Sequence, residues 1–125
     1  MRYTEATWPS DEWPSFSFDE MKCKHTGECD MNPDFMDILQ NIRDDYGRPL
    51  KITSGYRATT HPEELKKGSP GAHSHGRAVD IAMPVYAFEL VAIALKLGII
   101  GIGISKGFIH LDVATHATRP KLWGY

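Results

Sequence analysis

The chain has 125 residues, of which 42% are hydrophobic and 24% charged, the balance of one globular domain and not of a disordered or fibrous chain. Fourteen Lys and Arg residues against 16 Asp and Glu residues give a net charge of -2, so we expect no nucleic-acid partner. Charged residues and glycines interrupt the longest apolar-rich run, Val85 to Ile104, so we also expect no membrane insertion.

The N-terminus and the cysteines bear on where the protein works. Residues 1–6 lack the apolar stretch of a secretory signal, so we expect the protein to be made in the cytoplasm and to reach any target outside it by another route. We also expect a monomer. Cys23, His25 and Cys29 are spaced like metal ligands but lack a clear fourth ligand. We therefore predict that the two cysteines are reduced and packed.

The first third of the chain predicts an irregular arm followed by a helix. Residues 1–17 contain two Trp-Pro pairs, which favour an irregular arm at the start of a single domain over residues 1–125. Asn32 and Pro33 suit the cap and first turn of a helix over residues 33–46, and Gly47 suits its end. The apolar face of that helix is predicted to be Phe35, Ile38, Leu39 and Ile42.

Five further elements are predicted from apolar runs separated by glycine and proline. In chain order they are a strand over Leu50–Ser54, helical turns over His61–Lys67, a strand over Val79–Met83, a helix from Pro84 to Gly98, and a hairpin over Ile100–Val113. The apolar face of the second long helix is predicted to be Phe88, Val91, Ala92 and Leu95. The fold class is therefore α+β, with a small, mainly antiparallel sheet and helices packed on one side.

Two of the predicted strands place polar side chains on one face. Asp80 lies between two alanines on the face opposite Val79 and Ile81, and His110 shares a face with Asp112. A half-buried carboxylate without a partner costs free energy, which a bound cation would offset.

A histidine near the first of these strands completes a ligand set. His73 precedes Asp80 by seven residues, and Gly76 between them allows a turn that brings the imidazole back over the strand. Two neutral imidazoles and one carboxylate suit zinc and leave a fourth position for water, which is the pattern of catalytic sites.

Three segments stand out in chain order: SGYR at residues 54–57, HSHGRAVD at residues 73–80 and FIHLD at residues 108–112. Together they resemble the zinc D-Ala-D-Ala carboxypeptidase family, which includes L-alanyl-D-glutamate endopeptidases of phage endolysins and shares its fold core with the hedgehog domain. Residues 73–80 fit the family's His-x-x-Gly-x-Ala-x-Asp motif, residues 54–57 resemble its Ser-Gly-Tyr-Arg segment, and residues 108–112 resemble the strand of its last ligand.

The resemblance implies roles for individual residues. Zinc would be bound by His73, Asp80 and His110, and Arg57 would stabilise the substrate carbonyl oxygen or a terminal carboxylate. His61, where many members carry a histidine, and His75, beside the motif, are candidates for substrate binding.

The general base is not assigned by the resemblance. Many members carry Glu three residues before the last ligand or His two residues before it, where this chain has Gly107 and Phe108. Asp112 is left as either a base or a group that orients His110, with the orienting role slightly favoured, and an unassigned histidine is the other candidate for the base.

The function implied by the resemblance is zinc-dependent hydrolysis of peptide bonds in bacterial peptidoglycan. The short chain without a predicted signal resembles a phage lysin, released through a membrane lesion or carried in a virion. Whether it cuts as an endopeptidase or a carboxypeptidase is left open. The alternatives are a hedgehog-like zinc-containing cell-wall binding or virion structural module without hydrolysis and a metal-free structural or virion protein that retains the fold.

Overall fold

A computed structural model describes residues 2–125; Met1, the first residue of the predicted arm, lies outside the described residues. Within this described range, four helices and five strands follow one another. They are α1 (Phe18–Met21), α2 (Pro33–Tyr46), β1 (Ile52–Ser54), α3 (Pro62–Leu65), β2 (Ala78–Ala82), α4 (Ala87–Lys96), β3 (Gly101–Ile104), β4 (Phe108–Asp112) and β5 (Lys121–Gly124). No helix within residues 2–125 is both long and apolar enough to cross a membrane.

The five strands form one sheet in the order β1-β2-β4-β3-β5. Three of its four pairings are antiparallel, and only the β3–β5 pairing is parallel. The prediction of an α+β fold with a mainly antiparallel sheet is therefore confirmed.

Helix α2 has the boundaries that its sequence predicts. The side chain of Asn32 accepts a hydrogen bond from the Phe35 amide, and Pro33 occupies the first turn, where its missing N–H costs nothing. Gly47 ends the helix with a left-handed backbone, φ +73°, which a residue without Cβ adopts readily.

One face of the sheet is apolar and packs against α2 and α4. Val79 and Ile81 of β2 and Ile109 and Leu111 of β4 are fully buried in a core that includes Leu39 of α2. Helices on one side of the sheet were predicted, and this packing confirms it. The opposite face of the sheet is left to carry polar side chains.

The N-terminal arm is irregular but well packed. Tyr3 forms an isolated bridge with Cys29, and Trp8 and Trp13 are almost fully buried with their rings 5.1 Å apart. The Trp13 indole donates to the Asp37 carboxylate on α2 at 2.8 Å, which ties the arm to that helix.

The predicted apolar face of the second long helix is wrong at three of its four residues, since only Val91 is half-buried and packs against the core. Phe88 is 90% exposed and Leu95 59% exposed, whereas Leu90 and Ala94 are fully buried. Eight of the ten residues of α4 are apolar, so several faces fit helical spacing and the tertiary packing decides which is covered. The helix also begins at Ala87 and not at Pro84, because Tyr86 has non-helical backbone angles.

The sequence did not predict two short elements. Helix α1 has four residues and a capping box between Ser17 and Glu20. Strand β5 lies at the sheet edge beside β3 and carries Trp123. Its position brings the end of the chain to the polar face of the sheet.

Candidate active site

A row of five residues crosses the polar face of the sheet. The strand register places Ser54 opposite Asp80, Asp80 opposite His110, His110 opposite Gly103, and Gly103 opposite Trp123. Residues paired in this way project from the same face. The alternation seen in the sequence therefore brings Asp80 and His110 side by side.

His73 joins this pair from the turn before β2. Its Nε2 lies 3.3 Å from Asp80 Oδ1, and His110 Nδ1 lies 3.0 Å from the same oxygen. One ligand atom from each of the three residues lies within 4.8 Å of the other two, and all three residues are buried. The turn depends on Gly76, whose φ is +69° and whose missing Cβ leaves room for the backbone of Met31 and Asn32.

Each imidazole makes a hydrogen bond through the ring nitrogen that points away from Asp80. That bond determines which of the two ring nitrogens carries the proton and which has a lone pair for a metal. His73 Nδ1 lies 2.8 Å from the Gly55 carbonyl, which only accepts, so Nδ1 carries the proton and Nε2 is free. His110 Nε2 lies 2.6 Å from Asp112 Oδ2, so its Nδ1 is the free atom. Two imidazole lone pairs and a carboxylate oxygen thus converge, and this donor set fits zinc.

The pKa shifts follow from this arrangement. Burial lowers the pKa of His73 and favours its neutral form. Burial alone raises the pKa of Asp80. While no ion is bound, either imidazole can turn a proton towards the carboxylate, and such hydrogen bonds from His110 and His73 outweigh burial and hold the pKa of Asp80 well below its usual range. Asp80 is therefore an anion and His73 a neutral base, the forms in which both ligate metals.

Asp112 lies behind His110 and is fully buried. Arg119 donates to both of its oxygens, at 2.8 and 2.7 Å, and the Ala114 amide donates to Oδ1 at 3.1 Å. With His110 on Oδ2, both oxygens are engaged. These contacts favour the orienting role over the role of a base.

Arg57 reaches the group from the segment after β1. Its Nη2 lies 3.3 Å from Asp80 Oδ2, and its Nε donates to Ser54 Oγ at 3.1 Å. On the other side, Nη1 lies 3.6 Å from the buried carboxylate of Glu64. The guanidinium is thus held beside the three metal-type ligands.

The three ligands open into a cavity of about 420 Å³. Arg57, Lys67 and Arg119 supply positive charge to its lining. The aromatic side of the cavity comprises Phe108, Trp123 and Tyr125, which we call the aromatic wall. The Trp123 ring centroid lies 5.2 Å from that of His110, and Tyr125 lies 5.1 Å from Phe108.

Comparison with known proteins assigns the family. A family model described as Peptidase M15 matches residues 14–112, which is most of the chain and includes all three ligands. The chain belongs to the M15 family of zinc peptidases. Searches of curated proteins and of solved structures each returned no significant match. The resemblance to the D-Ala-D-Ala carboxypeptidases is confirmed at the level of this family.

In this M15 peptidase, replacing Asp112 with Asn is expected to weaken zinc binding by about 10- to 100-fold. The amide would no longer hold the proton on His110 Nε2 and would lose one charge-assisted contact with Arg119. Competition with a chromophoric chelator measures the affinity. An affinity equal to that of the wild type would show that Asp112 does not orient His110.

Glu64, which the sequence analysis did not single out, anchors the surroundings of the site. Its side chain is 1% exposed and accepts hydrogen bonds from Lys67 Nζ at 2.9 Å, the Gly71 amide at 2.8 Å and Ser74 Oγ at 2.7 Å. Burial alone raises the pKa of Glu64, but these hydrogen bonds outweigh it and bring the pKa down to about 2.

The shift at Glu64 predicts an acid-sensitive fold. Because the folded pKa of about 2 lies below the ordinary 4.5, Glu64 stabilises the fold above pH 4.5, and this contribution is lost as the pH falls towards 2. Glu64→Gln should lower the free energy of unfolding by about 2–3 kcal/mol at neutral pH and flatten its decline in acid. Urea unfolding of the metal-free protein across pH measures this, with Glu63→Gln at the exposed neighbour as the control. An unchanged pH profile in Glu64→Gln would contradict the assignment.

The aromatic wall depends on a glycine in β3. A Cβ on Gly103 would lie 2.6 Å from Trp123 Nε1 and 2.9 Å from Tyr125 Cε2. Gly101, two residues earlier, likewise leaves room for the Asp112–Arg119 pair. These two glycines thus let larger side chains approach the backbone of β3 closely.

Replacing Gly103 with Ala is expected to displace Trp123 and to cost about 1–3 kcal/mol of unfolding free energy. Gly107→Ala is the matched control, because a Cβ there meets nothing within 4 Å, and its effect should stay within about 0.5 kcal/mol. Thermal unfolding measures the loss of stability, and Trp fluorescence detects the displacement of Trp123. Equal stability of the two variants would mean that Trp123 does not pack on Gly103.

The structure does not bring the two predicted substrate-binding histidines into the cavity. His61 caps α3, where its Nδ1 accepts from the Glu63 amide at 3.0 Å. His75 is exposed and borders a separate depression beside Asn32. Their roles in substrate binding stay predictions.

The cysteines do not form a second metal group. Cys23 and Cys29 are free thiols and fully buried, and burial raises the pKa of Cys29 to about 11. Within residues 2–125, the group of three metal-type ligands is the one at His73, Asp80 and His110.

Proposed function

We propose that this zinc peptidase hydrolyses peptide bonds in the stem peptides of bacterial peptidoglycan and acts as a phage lysin. The observation that carries the proposal is a buried two-histidine, one-aspartate group that opens into a cavity beside Arg57. Family membership supports peptide hydrolysis, and the resemblance of the SGYR and HSHGRAVD segments to the D-Ala-D-Ala carboxypeptidases supports the substrate class.

Different residues of the chain have different roles in the proposed hydrolysis. His73, Asp80 and His110 would hold the zinc ion, which would supply Lewis-acid polarisation of the scissile carbonyl and activation of water as a nucleophile near neutral pH. Arg57 presents a permanently charged guanidinium where the carbonyl oxygen gains negative charge or where a terminal carboxylate lies. Asp112 keeps His110 in the required tautomer.

Digestion of purified peptidoglycan tests the proposal. The zinc-loaded protein should release soluble products from the suspension, a chelator should stop the reaction, and added zinc should restore it. Mass spectrometry of the soluble products distinguishes the two modes: free alanine indicates a carboxypeptidase, and released stem fragments indicate an endopeptidase. A zinc-loaded protein that releases neither would overturn the proposal.

A second candidate function is a zinc-containing cell-wall binding or virion structural module without hydrolysis. It is favoured by Gly107 and Phe108 at the two positions where many family members carry a base. Co-sedimentation with peptidoglycan that yields no soluble product over long incubation would support it. Detectable turnover that depends on zinc would exclude it.

A further inference from the structure

The proposed reaction needs a residue that accepts and returns a proton. Neither Asp112 nor the residues at positions 107 and 108 can serve as that residue. Both oxygens of Asp112 are engaged by His110, Arg119 and a backbone amide, and the side chain is fully buried. Gly107 has no side chain and Phe108 has no titratable atom.

Carboxylates and imidazoles are the side chains that most often move protons in enzymes near neutral pH. Apart from the three metal-type ligands, only Glu63 and His116 among the described lining residues of the cavity belong to these types. Glu63 forms an ion pair with Lys66 at 3.2 Å, and the hydrogen bond from Lys66 lowers the pKa of the carboxyl. Glu63 is therefore a weak base.

His116 is differently placed. It lies between β4 and β5, is exposed, and makes no hydrogen bond or ion pair within residues 2–125; its ring packs only against that of His75, with centroids 4.5 Å apart. Burial, followed by the charges of His75, Arg119 and Lys67, lowers the pKa of His116, and Asp112 acts in the opposite direction. The imidazole is therefore neutral at physiological pH and able to accept a proton.

We propose that His116 is the residue that accepts and returns the proton during peptide hydrolysis, an inference that rests on the proposed function. As the water oxygen bonds to the scissile carbonyl carbon, His116 takes a proton from the water. It then gives that proton to the amide nitrogen as the C–N bond breaks, leaving an amine and a carboxylic acid, and the acid releases the remaining water proton to the solvent. Water is the only co-reactant, and no oxidant is required.

The position of His116 in the chain explains why the sequence motifs do not contain it. The family match ends at residue 112, whereas His116 belongs to the segment that continues to Trp123 and Tyr125 of the aromatic wall. This segment supplies one side of the cavity. A group from the following loop thus takes the place of the proton-transfer groups that are absent at positions 107 and 108.

The first test compares His116→Ala with His25→Ala, since His25 is exposed and lies outside the cavity. We expect His116→Ala to keep one zinc per chain and lose about 100-fold or more in kcat, with the pH dependence of the rate altered. Added imidazole should restore part of the activity to His116→Gly. His25→Ala should behave like the wild type.

A second measurement does not depend on activity. The ring resonances of His116 in NMR spectra report its pKa, and adding zinc to the wild type should lower that pKa because the ion carries positive charge into the same cavity. The ring resonances of His25, which lies outside the cavity, should not respond to zinc. Wild-type activity in His116→Ala, or a His116 resonance that does not respond to zinc, would overturn the inference and leave the proposed function standing. A zinc-loaded wild type that cleaves no peptidoglycan would overturn both.

Discussion

Replacing Asp80 with Asn is expected to abolish stoichiometric zinc binding and, with it, hydrolysis of peptidoglycan. Asp80 is the anionic member of the ligand group, and its Oδ1 lies 3.0 Å from His110 and 3.3 Å from His73. An amide of the same shape cannot offset the charge of the ion, so zinc affinity should fall by more than the roughly 100-fold loss typical of residues behind the ligands. Elemental analysis after dialysis measures the zinc content.

The control for this variant is Asp45→Asn, which makes the same chemical change at an exposed position near the end of α2. It should retain one zinc per chain and full activity. Full zinc occupancy in Asp80→Asn would refute the ligand assignment, whereas zinc loss in both variants would indicate that the protein had been damaged in general.

Replacing Arg57 with Ala is expected to lower kcat by about 100- to 1000-fold while zinc content stays at one per chain. The guanidinium contacts Asp80 through Nη2 at 3.3 Å, but Asp80 retains both histidines when Arg57 is removed. Arg57→Lys should recover only part of the rate, because an ammonium group cannot donate to Ser54, Glu64 and Asp80 with the same planar geometry. Steady-state kinetics on a synthetic stem peptide give the ratio of the kcat of each variant to that of the wild type.

Arg48→Ala is the matched control, since Arg48 lies outside the cavity and packs on the Tyr86 ring at 4.1 Å. Its kcat should equal that of the wild type. If Arg57→Ala instead loses its zinc, the contact with Asp80 supports the metal site and Arg57 is structural.

The alternation of residues in two strands was enough to predict the centre of the site. Because side chains in a strand alternate strictly, Asp80 had to face away from Val79 and Ile81, and His110 away from Ile109 and Leu111. The register then places Asp80 directly opposite His110. Helix α2 was equally predictable, since its cap at Asn32 and its end at Gly47 are local features.

The surroundings of the site depend on contacts between residues far apart in sequence, which no local pattern contains. Strand β5 exists because it pairs with β3, and only that pairing brings Trp123 beside His110. The need for glycine at position 103 becomes visible only once Trp123 lies over it. Glu64 sits in a helix of four residues, and its burial comes from the segment that holds Gly71 and Ser74.

X-ray absorption at the zinc edge of the zinc-loaded protein tests the central claim most directly, because it identifies the atoms that bind the ion. The group of His73, Asp80 and His110 predicts one zinc per chain with nitrogen and oxygen neighbours only, at about 2.0–2.2 Å. A sulfur neighbour at about 2.3 Å would place the ion at Cys23 or Cys29, and that result, or zinc well below one per chain, would contradict the account.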